Sequence, residues 1–143
     1  HRDIKLENVL LDSNEDVKVI DFGWSVHCPK ENELRNTFCG TVPYLSPEAV
    51  ARKDYDKGVD VWALGILAYE LYFGALPFFG EDKKRTFEKI SKDRLKFPRP
   101  LRLDAEHFLI SLLCKDQKKR PKIEEVLKQK YFQELRDAEQ FSI

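Results

Sequence analysis

The first eight residues read HRDIKLEN and place three different polar groups on one short stretch of chain. Asp3 supplies a carboxylate, Lys5 an ammonium group and Asn8 an amide. The amide oxygen of Asn8 is a hard ligand of the type that Mg²⁺ prefers. This stretch therefore combines a group that can accept a proton, a positive charge and an oxygen ligand for a hard cation.

A second polar triplet, Asp21-Phe22-Gly23, lies beyond two short apolar runs at 9–11 and 17–20. The turn-forming sequence SNED at 13–16 separates the runs, and the pattern predicts a short β-hairpin. Either motif alone is a weak signal, because isolated charges in a turn are usually solvated. In their order and separation, the two motifs resemble the catalytic loop (His-Arg-Asp…Asn) and the metal-binding loop (Asp-Phe-Gly) of the eukaryotic protein kinases.

The kinase resemblance assigns catalytic roles to three residues. Asp3 would orient the substrate hydroxyl and accept its proton, and Lys5 would place a positive charge beside the γ-phosphate of ATP. Lysine at this position is typical of serine/threonine kinases. Thr41 matches the residue that contacts both the catalytic Asp and this Lys. The resemblance thus implies a transferase that phosphorylates Ser or Thr hydroxyls of protein substrates.

The same resemblance implies ATP and Mg²⁺ as cofactors. Asn8 and Asp21 match the two residues that bind the metal, and both offer hard oxygen ligands. Lys5 also belongs to the nucleotide site, because it lies beside the terminal phosphate. Leu10 matches a position that contacts adenine.

Further motifs of the kinase fold continue along the chain. The sequence Ser46-Pro47-Glu48 resembles the Ala-Pro-Glu that closes the activation segment, and Ser46 is a suitable N-cap for a helix beginning at Pro47. By resemblance, Arg120 is expected to pair with Glu48, and Asp60 to hold the backbone of the catalytic loop. The residues to which the resemblance assigns structural roles are His1, Phe22, Gly23, Glu48, Asp60 and Arg120.

Two stretches narrow the resemblance to the Aurora kinases, namely WSVH at 24–27 and TFCGT at 37–41. Phe38 replaces a leucine of that pattern, and Asn36 stands where many members have a second Thr. Val42-Pro43 replaces the usual Leu-Asp. The Aurora resemblance implies a role in cell division and an activating protein partner. It also implies a cytoplasmic and nuclear location that includes the spindle or centrosome.

Substrate choice and regulation are also implied by the resemblance. Glu7 and Glu70 match carboxylates with which basophilic kinases bind an Arg two residues before the target hydroxyl, and such a contact can be bidentate. Taken alone, Glu70 is explained equally well as a solvated helix residue. Thr37 matches the activating phosphorylation site, and Arg2 matches the Arg that pairs with its phosphate. Arg35 precedes Thr37 by two positions, which is the spacing expected of a substrate.

Composition sets limits on the partners that we expect. The chain carries 25 basic and 25 acidic side chains, and this balance gives no reason to expect nucleic acid or an acidic membrane surface as a partner. No apolar run is long enough to span a bilayer. The three cysteines lack the spacing of a metal site, which suits a reducing compartment.

The expected fold is mainly α-helical with a short β-hairpin, and corresponds to the helical C-lobe of a kinase. We predict one incomplete domain over 1–143, with a catalytic loop at 1–8, an activation segment at 21–48 and a helical region at 49–132. No glycine-rich loop or strand lysine precedes the catalytic loop, so we expect a longer kinase, the parent protein, to contain this chain. The apolar pattern predicts helices at about 59–73 (ending at Gly74), 82–91, 104–115 (capped by Asp104) and 122–130.

Two alternatives to an active kinase remain open at this point. A pseudokinase would use the same fold as a binding or scaffold module, and the intact Asp3, Lys5, Asn8 and Asp21 argue against it. A purely structural helical domain would require all four polar groups to be incidental.

Overall fold

The computed structural model describes residues 1–28 and 33–133, which form a helical body with one two-stranded antiparallel sheet near the N-terminus. This architecture confirms the predicted fold class. Residues 29–32 of the predicted activation segment and 134–143 of the predicted domain lie outside the described residues. No helix within the described ranges has the length and apolar character needed to cross a membrane. The α-helices are α1 (Pro47–Val50), α2 (Gly58–Phe73), α3 (Lys83–Lys92), α4 (Leu103–Leu112) and α5 (Ile123–Val126).

The hairpin joins the two motif loops. Strand β1 (Val9–Leu11) pairs with strand β2 (Val17–Val19), and the Asp12 carboxylate accepts two backbone N–H groups of the connecting turn. Beyond the last pair of the sheet, the N–H of Ile20 donates to the carbonyl of Asn8 at 2.9 Å. Because of this bond, the end of the first motif lies beside the start of the second.

Helix α2 is the centre of the hydrophobic core. Trp62 and Ile66 on this helix are fully buried, and the Trp62 ring stacks on Phe78 with centroids 5.7 Å apart. The helix ends where predicted, because Gly74 adopts a left-handed conformation (φ 65°) and its N–H donates to the Glu70 carbonyl. The near-continuous apolar sequence is thus explained by burial of most of the helix surface.

Helix α4 begins at Leu103, one residue before the predicted start, and its predicted N-cap was wrong. Arg102, not Asp104, is the N-cap, and Asp104 lies in the first helical turn. The reason is an ion pair, because the Asp104 carboxylate accepts two hydrogen bonds from the Arg102 guanidinium at 3.0 and 2.8 Å. The helix also ends at Leu112 instead of about 115, and the carbonyl of Cys114, just beyond this end, accepts a hydrogen bond from Arg120 Nε.

The predicted span of the last helix was too long. Helix α5 is regular only to Val126, after which the chain continues in tighter turns with i→i−3 hydrogen bonds from Lys128 and Gln129. The Gln129 side chain donates to Ser111 Oγ at 2.9 Å, so this turn is fixed to α4. By contrast, α3 was predicted to within one residue at each end, with Asp82 as the N-cap.

A buried ion pair connects the start of α1 to the loop before α5, as predicted. Arg120 donates to both oxygens of Glu48 at 2.6 and 3.0 Å, and also to the Gly58 carbonyl at 2.9 Å. Ser46 caps α1 by accepting the N–H of Ala49. The arrangement is bidentate and satisfies several donors of the guanidinium, which is the condition under which a buried pair is tolerated.

We predict that Arg120→Met destabilises the parent protein by about 3 to 5 kcal/mol, because the Glu48 carboxylate would stay buried without its partner. The double variant Glu48→Leu/Arg120→Met should recover part of that loss. Denaturant unfolding of both variants gives the two free energies. A single variant within 1 kcal/mol or so of wild type would contradict the predicted cost of the unpaired charge.

Candidate active site

The first loop is held in place by the first turn of α2. The Asp60 carboxylate accepts hydrogen bonds from the main-chain nitrogen of Arg2 through Oδ1 and from that of His1 through Oδ2, each at 2.8 Å. Arg2 adopts a left-handed backbone conformation (φ 71°), which is uncommon for a non-glycine residue. Asp60 therefore fixes the backbone immediately before Asp3, which is the contact that the kinase resemblance implied.

The His1 ring links this loop to the second motif. Its Nδ1 accepts the N–H of Asp3 at 3.3 Å, which leaves the ring proton on Nε2 to donate to the Ile20 carbonyl at 3.0 Å. The ring also meets Phe22 edge-on, with centroids 4.8 Å apart. His1 and Phe22 thus hold the two motifs against each other.

The three predicted catalytic residues form a closed triangle of polar contacts. The Oδ1 atom of Asp3 accepts both the N–H of Thr41 (3.0 Å) and its hydroxyl (2.7 Å). The Lys5 ammonium lies 3.3 Å from Asp3 Oδ2 and donates to the Thr41 hydroxyl at 2.9 Å. A hydroxyl has one proton and two lone pairs, so Thr41 can donate to Asp3 while accepting from Lys5.

Asp3 is charged despite being only 7% exposed. Burial alone would raise the pKa of its carboxyl, but hydrogen bonds from Thr41 and Lys5 and the positive charge of Lys5 outweigh burial and hold that pKa below its ordinary value. The carboxylate is therefore ionised at neutral pH. It can accept a hydrogen bond from a hydroxyl group placed against it.

Asn8 and Asp21 provide oxygen atoms at the junction of the two motifs. The Asn8 Nδ2 donates to the Asp3 carbonyl at 2.9 Å, so Oδ1 is the atom of this amide that remains as a ligand. Asp21 is exposed in a left-handed conformation (φ 60°), and one carboxylate oxygen accepts the N–H of Gly23 at 3.2 Å. One amide oxygen and one carboxylate fit Mg²⁺, which keeps several of its waters when it binds through few protein ligands.

The predicted phosphorylation site and its predicted partner are linked through a third residue. Thr37 is exposed, and its carbonyl accepts the Tyr55 hydroxyl at 2.7 Å. The Arg2 guanidinium donates to the same hydroxyl at 3.2 Å and to the Trp24 carbonyl at 2.7 Å. Arg2 therefore reaches the Thr37 backbone through Tyr55.

The two carboxylates assigned to arginine recognition both lie near Tyr44. The Tyr44 hydroxyl donates to Glu70 and accepts the N–H of Leu6, which precedes Glu7. Burial and the hydrogen bond to Glu70 raise the pKa of Tyr44, with a smaller contribution from the charge of Glu7. The phenol therefore stays protonated, and Glu70 keeps a hydrogen-bond partner that a solvated helix residue would lack.

Sequence reasoning missed Tyr44 and Tyr55 as site residues. Tyr44 lies between the TFCGT stretch at 37–41 and the Ser46-Pro47-Glu48 motif and belongs to neither. Tyr55 is the one aromatic residue in the charged run RKDYDKG at 52–58, and an aromatic in such a run was the available signal for a buried role. Leu10, the predicted adenine contact, lies on β1 and is nearly half exposed at 47%.

Comparison with known proteins agrees with this geometry. The protein kinase domain family matches residues 1–132, and the chain belongs to that family. Within it, the chain is similar to the Aurora kinase of Eremothecium gossypii, with 47% identity over 90% of this chain and 35% of the relative. The Aurora kinase of Saccharomyces cerevisiae is 46% identical over 88% of the chain and 34% of the relative.

A second group of serine/threonine kinases is nearly as similar. The RAC-beta serine/threonine-protein kinase of Rattus norvegicus is 44% identical over 84% of this chain, which covers 25% of that protein. The chain therefore spans about a third or less of the length of these curated relatives. The Aurora-like character is supported by the identities of 47% and 46% to the two Aurora kinases and by the WSVH sequence at 24–27.

Proposed function

We propose that this chain is the C-lobe portion of an Aurora-like serine/threonine kinase that transfers the γ-phosphate of ATP to Ser or Thr hydroxyls. The observation that carries the proposal is the triangle of Asp3, Lys5 and Thr41. In this arrangement an ionised carboxylate and an ammonium group are fixed side by side by one threonine. Positioning and charge stabilisation of this kind account for most of the catalysis in kinases.

Each member of the triangle has a distinct task in the proposed reaction. Asp3 accepts the hydrogen bond of the substrate hydroxyl and takes its proton as the hydroxyl oxygen bonds to the γ-phosphorus. The bond from that phosphorus to its bridging oxygen breaks in the same transfer, and ADP leaves. Lys5 offsets negative charge on the transferring phosphoryl group. Thr41 binds both Lys5 and Asp3, so the relative position of these two side chains is fixed by more than their direct contact of 3.3 Å.

Mg²⁺-ATP is the proposed cofactor, and when bound the metal offsets charge on the phosphate oxygens. Asn8 Oδ1 and the Asp21 carboxylate would hold the metal, because they are the oxygen atoms of the two joined motifs that remain as ligands. Leu10 would form part of the adenine-contacting floor. An Asn8→Ala or Asp21→Asn change is expected to raise the Mg²⁺ concentration needed for half-maximal turnover, because each change removes or weakens one oxygen ligand.

We further propose that substrates carry Arg two residues before the target hydroxyl. Glu70 is fixed by the Tyr44 hydroxyl, and Glu7 is exposed on the adjacent turn beside Leu6, whose N–H contacts the same tyrosine. Two carboxylates around one tyrosine can bind a guanidinium in a charge-assisted, bidentate manner.

The specificity proposal predicts faster phosphorylation of Arg-x-Ser peptides than of Ala-x-Ser peptides by the parent protein. Removing either charge, with Glu7→Gln or Glu70→Gln, should reduce that preference about tenfold, the effect of losing one hydrogen bond to a charged group. Initial rates on the two peptides give the preference. Glu124→Gln, an exposed carboxylate on α5, is the matched control. Equal rates on the two peptides with the wild type would contradict the proposal.

The isolated chain is predicted to be catalytically silent and to self-associate. Positioning of the γ-phosphate requires groups that the described residues do not supply, and most of the catalysis depends on that positioning. Apolar side chains on the hairpin and the following turn are also exposed, and such a patch is an aggregation liability. The most exposed of these are Leu10, Leu11, Val17, Phe22 and Trp24.

Residues 1–143 should therefore show no peptide phosphorylation and an average mass above that of a monomer by light scattering. The parent protein in the same buffer is the control. A stable monomer of residues 1–143 that turns over Mg²⁺-ATP would refute this prediction.

We also propose a cell-division role for the parent protein, with an activating protein partner and a cytoplasmic and nuclear location that includes the spindle or centrosome. The support is the resemblance to Aurora kinases in sequence and in the residues after Asp21-Phe22-Gly23. A fluorescently tagged parent protein followed through mitosis tests the location. Uniform distribution through mitosis would contradict it.

A further inference from the structure

We propose that Tyr55 is a positioning residue that couples Thr37 to the catalytic loop through its hydroxyl group. The inference rests on the proposed function and on the predicted role of Thr37 as the activating phosphorylation site. Tyr55 lies between α1 and α2 and is 4% exposed, although charged residues surround it in the sequence.

Both hydrogen-bonding roles of the Tyr55 hydroxyl are used across the interface. It donates its proton to the Thr37 carbonyl at 2.7 Å and accepts a hydrogen bond from the Arg2 guanidinium at 3.2 Å. A phenol has a single proton, so the hydroxyl can donate to the Thr37 carbonyl only while it accepts from Arg2. The hydroxyl is thus a connection between the catalytic loop and the activation segment.

The backbone of Tyr55 fixes the same segment at a second point. Its N–H donates to the Arg35 carbonyl and its carbonyl accepts the Arg35 N–H, both at 2.8 Å. Residue 35 and residue 37 of the activation segment are therefore both bound to Tyr55. Two attachments on either side of Asn36 leave the side chain of Thr37 exposed while its backbone is fixed.

The Arg2 end of the connection lies beside the proposed catalytic base. The backbone N–H of Arg2 is held by Asp60, and the next residue is Asp3. The Arg2 Nε also donates to the Trp24 carbonyl at 2.7 Å, so Arg2 binds the segment after Asp21-Phe22-Gly23 as well. The activation segment approaches this backbone closely, because a side chain at Gly40 (φ 101°) would meet the Arg2 carbonyl at 2.8 Å.

Phosphate on Thr37 would add a charged partner for Arg2. The Tyr55 hydroxyl already keeps the Arg2 guanidinium next to the Thr37 backbone. The entropic cost of ordering Arg2 and the activation segment is therefore smaller when the phosphate binds Arg2. Without the hydroxyl, Arg2 and the Thr37 carbonyl each lose a partner, and the phosphate must order both. The ring of Tyr55 packs with Leu45 and Ala49 in a small hydrophobic cluster, so removal of the hydroxyl alone leaves the packing role intact.

The test compares Tyr55→Phe with Tyr72→Phe in the parent protein. Tyr72 is the matched control, because its hydroxyl is also partly buried and is bonded to the Tyr131 hydroxyl at 2.8 Å. Among the described residues, this hydroxyl makes no hydrogen bond to the catalytic loop or the activation segment. Kinetics are measured with Thr37 phosphorylated and unphosphorylated. We expect Tyr55→Phe to lower kcat of the phosphorylated form about tenfold, which is the effect of losing one hydrogen bond to a charged group. KM for peptide should change little, the unphosphorylated rate should fall by a smaller factor than the phosphorylated rate, and Tyr72→Phe should behave as wild type.

Hydrogen exchange supplies a second readout that does not depend on activity. Amides at 35–41 should exchange faster in Tyr55→Phe than in wild type or Tyr72→Phe, while thermal midpoints of the two variants stay similar. Wild-type kcat and wild-type exchange at 35–41 in Tyr55→Phe would overturn the inference, as would equal losses in both variants. Absence of phosphotransfer by the wild type would contradict the proposed function instead, and the exchange comparison would still decide the role of Tyr55.

Discussion

Asp3→Asn is expected to lower kcat of the parent protein by about a thousandfold, within the range of general acid–base catalysis. The amide matches the carboxylate in shape and keeps an oxygen to accept the two hydrogen bonds of Thr41. It removes the negative charge and the ability to take a proton. The loss should therefore appear in turnover, while ATP affinity and the unfolding midpoint stay near those of wild type.

The control for this change is Asp54→Asn, which removes a carboxylate from an exposed position between α1 and α2. Steady-state phosphorylation of a Ser peptide, with nucleotide affinity measured in parallel, separates chemistry from binding. Unchanged turnover in Asp3→Asn would exclude Asp3 as the base. Loss of nucleotide affinity together with turnover would instead indicate a structural role for its charge.

Thr37→Ala is predicted to have the second largest effect, a loss of activity of at least about tenfold, since phosphate forms charge-assisted hydrogen bonds that order a loop. Phosphate brings nearly two negative charges and three acceptor oxygens to an exposed position near Arg2. Arg2 adjoins Asp3, so loop order and the position of the catalytic carboxylate are coupled. Mass spectrometry of active parent protein should find phosphate on Thr37.

Asn36→Ala is the neighbouring control, since Asn36 is also exposed and carries no hydroxyl. Thr41 is the competing hydroxyl nearby, but it is bound to Asp3 and Lys5 and serves the site directly. Full activity of Thr37→Ala would rule out the proposed switch. Phosphate found on Thr41 in active enzyme would move the switch to that residue.

Features that depend on short sequence separations were predicted well. The span of α2 was predicted to within one residue, because a long apolar run ends at a glycine that can adopt positive φ. The contacts of Asp3 with Lys5 and Asn8 follow from the spacing of one loop. The Glu48–Arg120 pair spans 72 positions, and it was predicted through the kinase resemblance instead of from local pattern.

Features that depend on competition between side-chain partners were missed, at short and at long sequence separations. Asp104 was expected to cap α4, yet Arg102 takes its carboxylate, and sequence pattern cannot decide between two partners of one carboxylate. The hydroxyl contacts of Tyr55 join residues 18 and 53 positions apart. The spacing of apolar residues carries no information about which partners a single tyrosine hydroxyl binds. Hydroxyl networks of this kind are visible only once the chain is folded.

The most direct test of the central claim is transfer of labelled γ-phosphate from Mg²⁺-ATP to a Ser/Thr peptide by purified parent protein. The proposed function predicts labelled Ser or Thr that depends on Asp3, with no label on Tyr in a matched peptide. A pseudokinase would bind peptide or nucleotide without transferring phosphate. Stoichiometric nucleotide binding with no labelled peptide, in protein shown to carry phosphate on Thr37, would contradict the assignment of this chain to an active serine/threonine kinase.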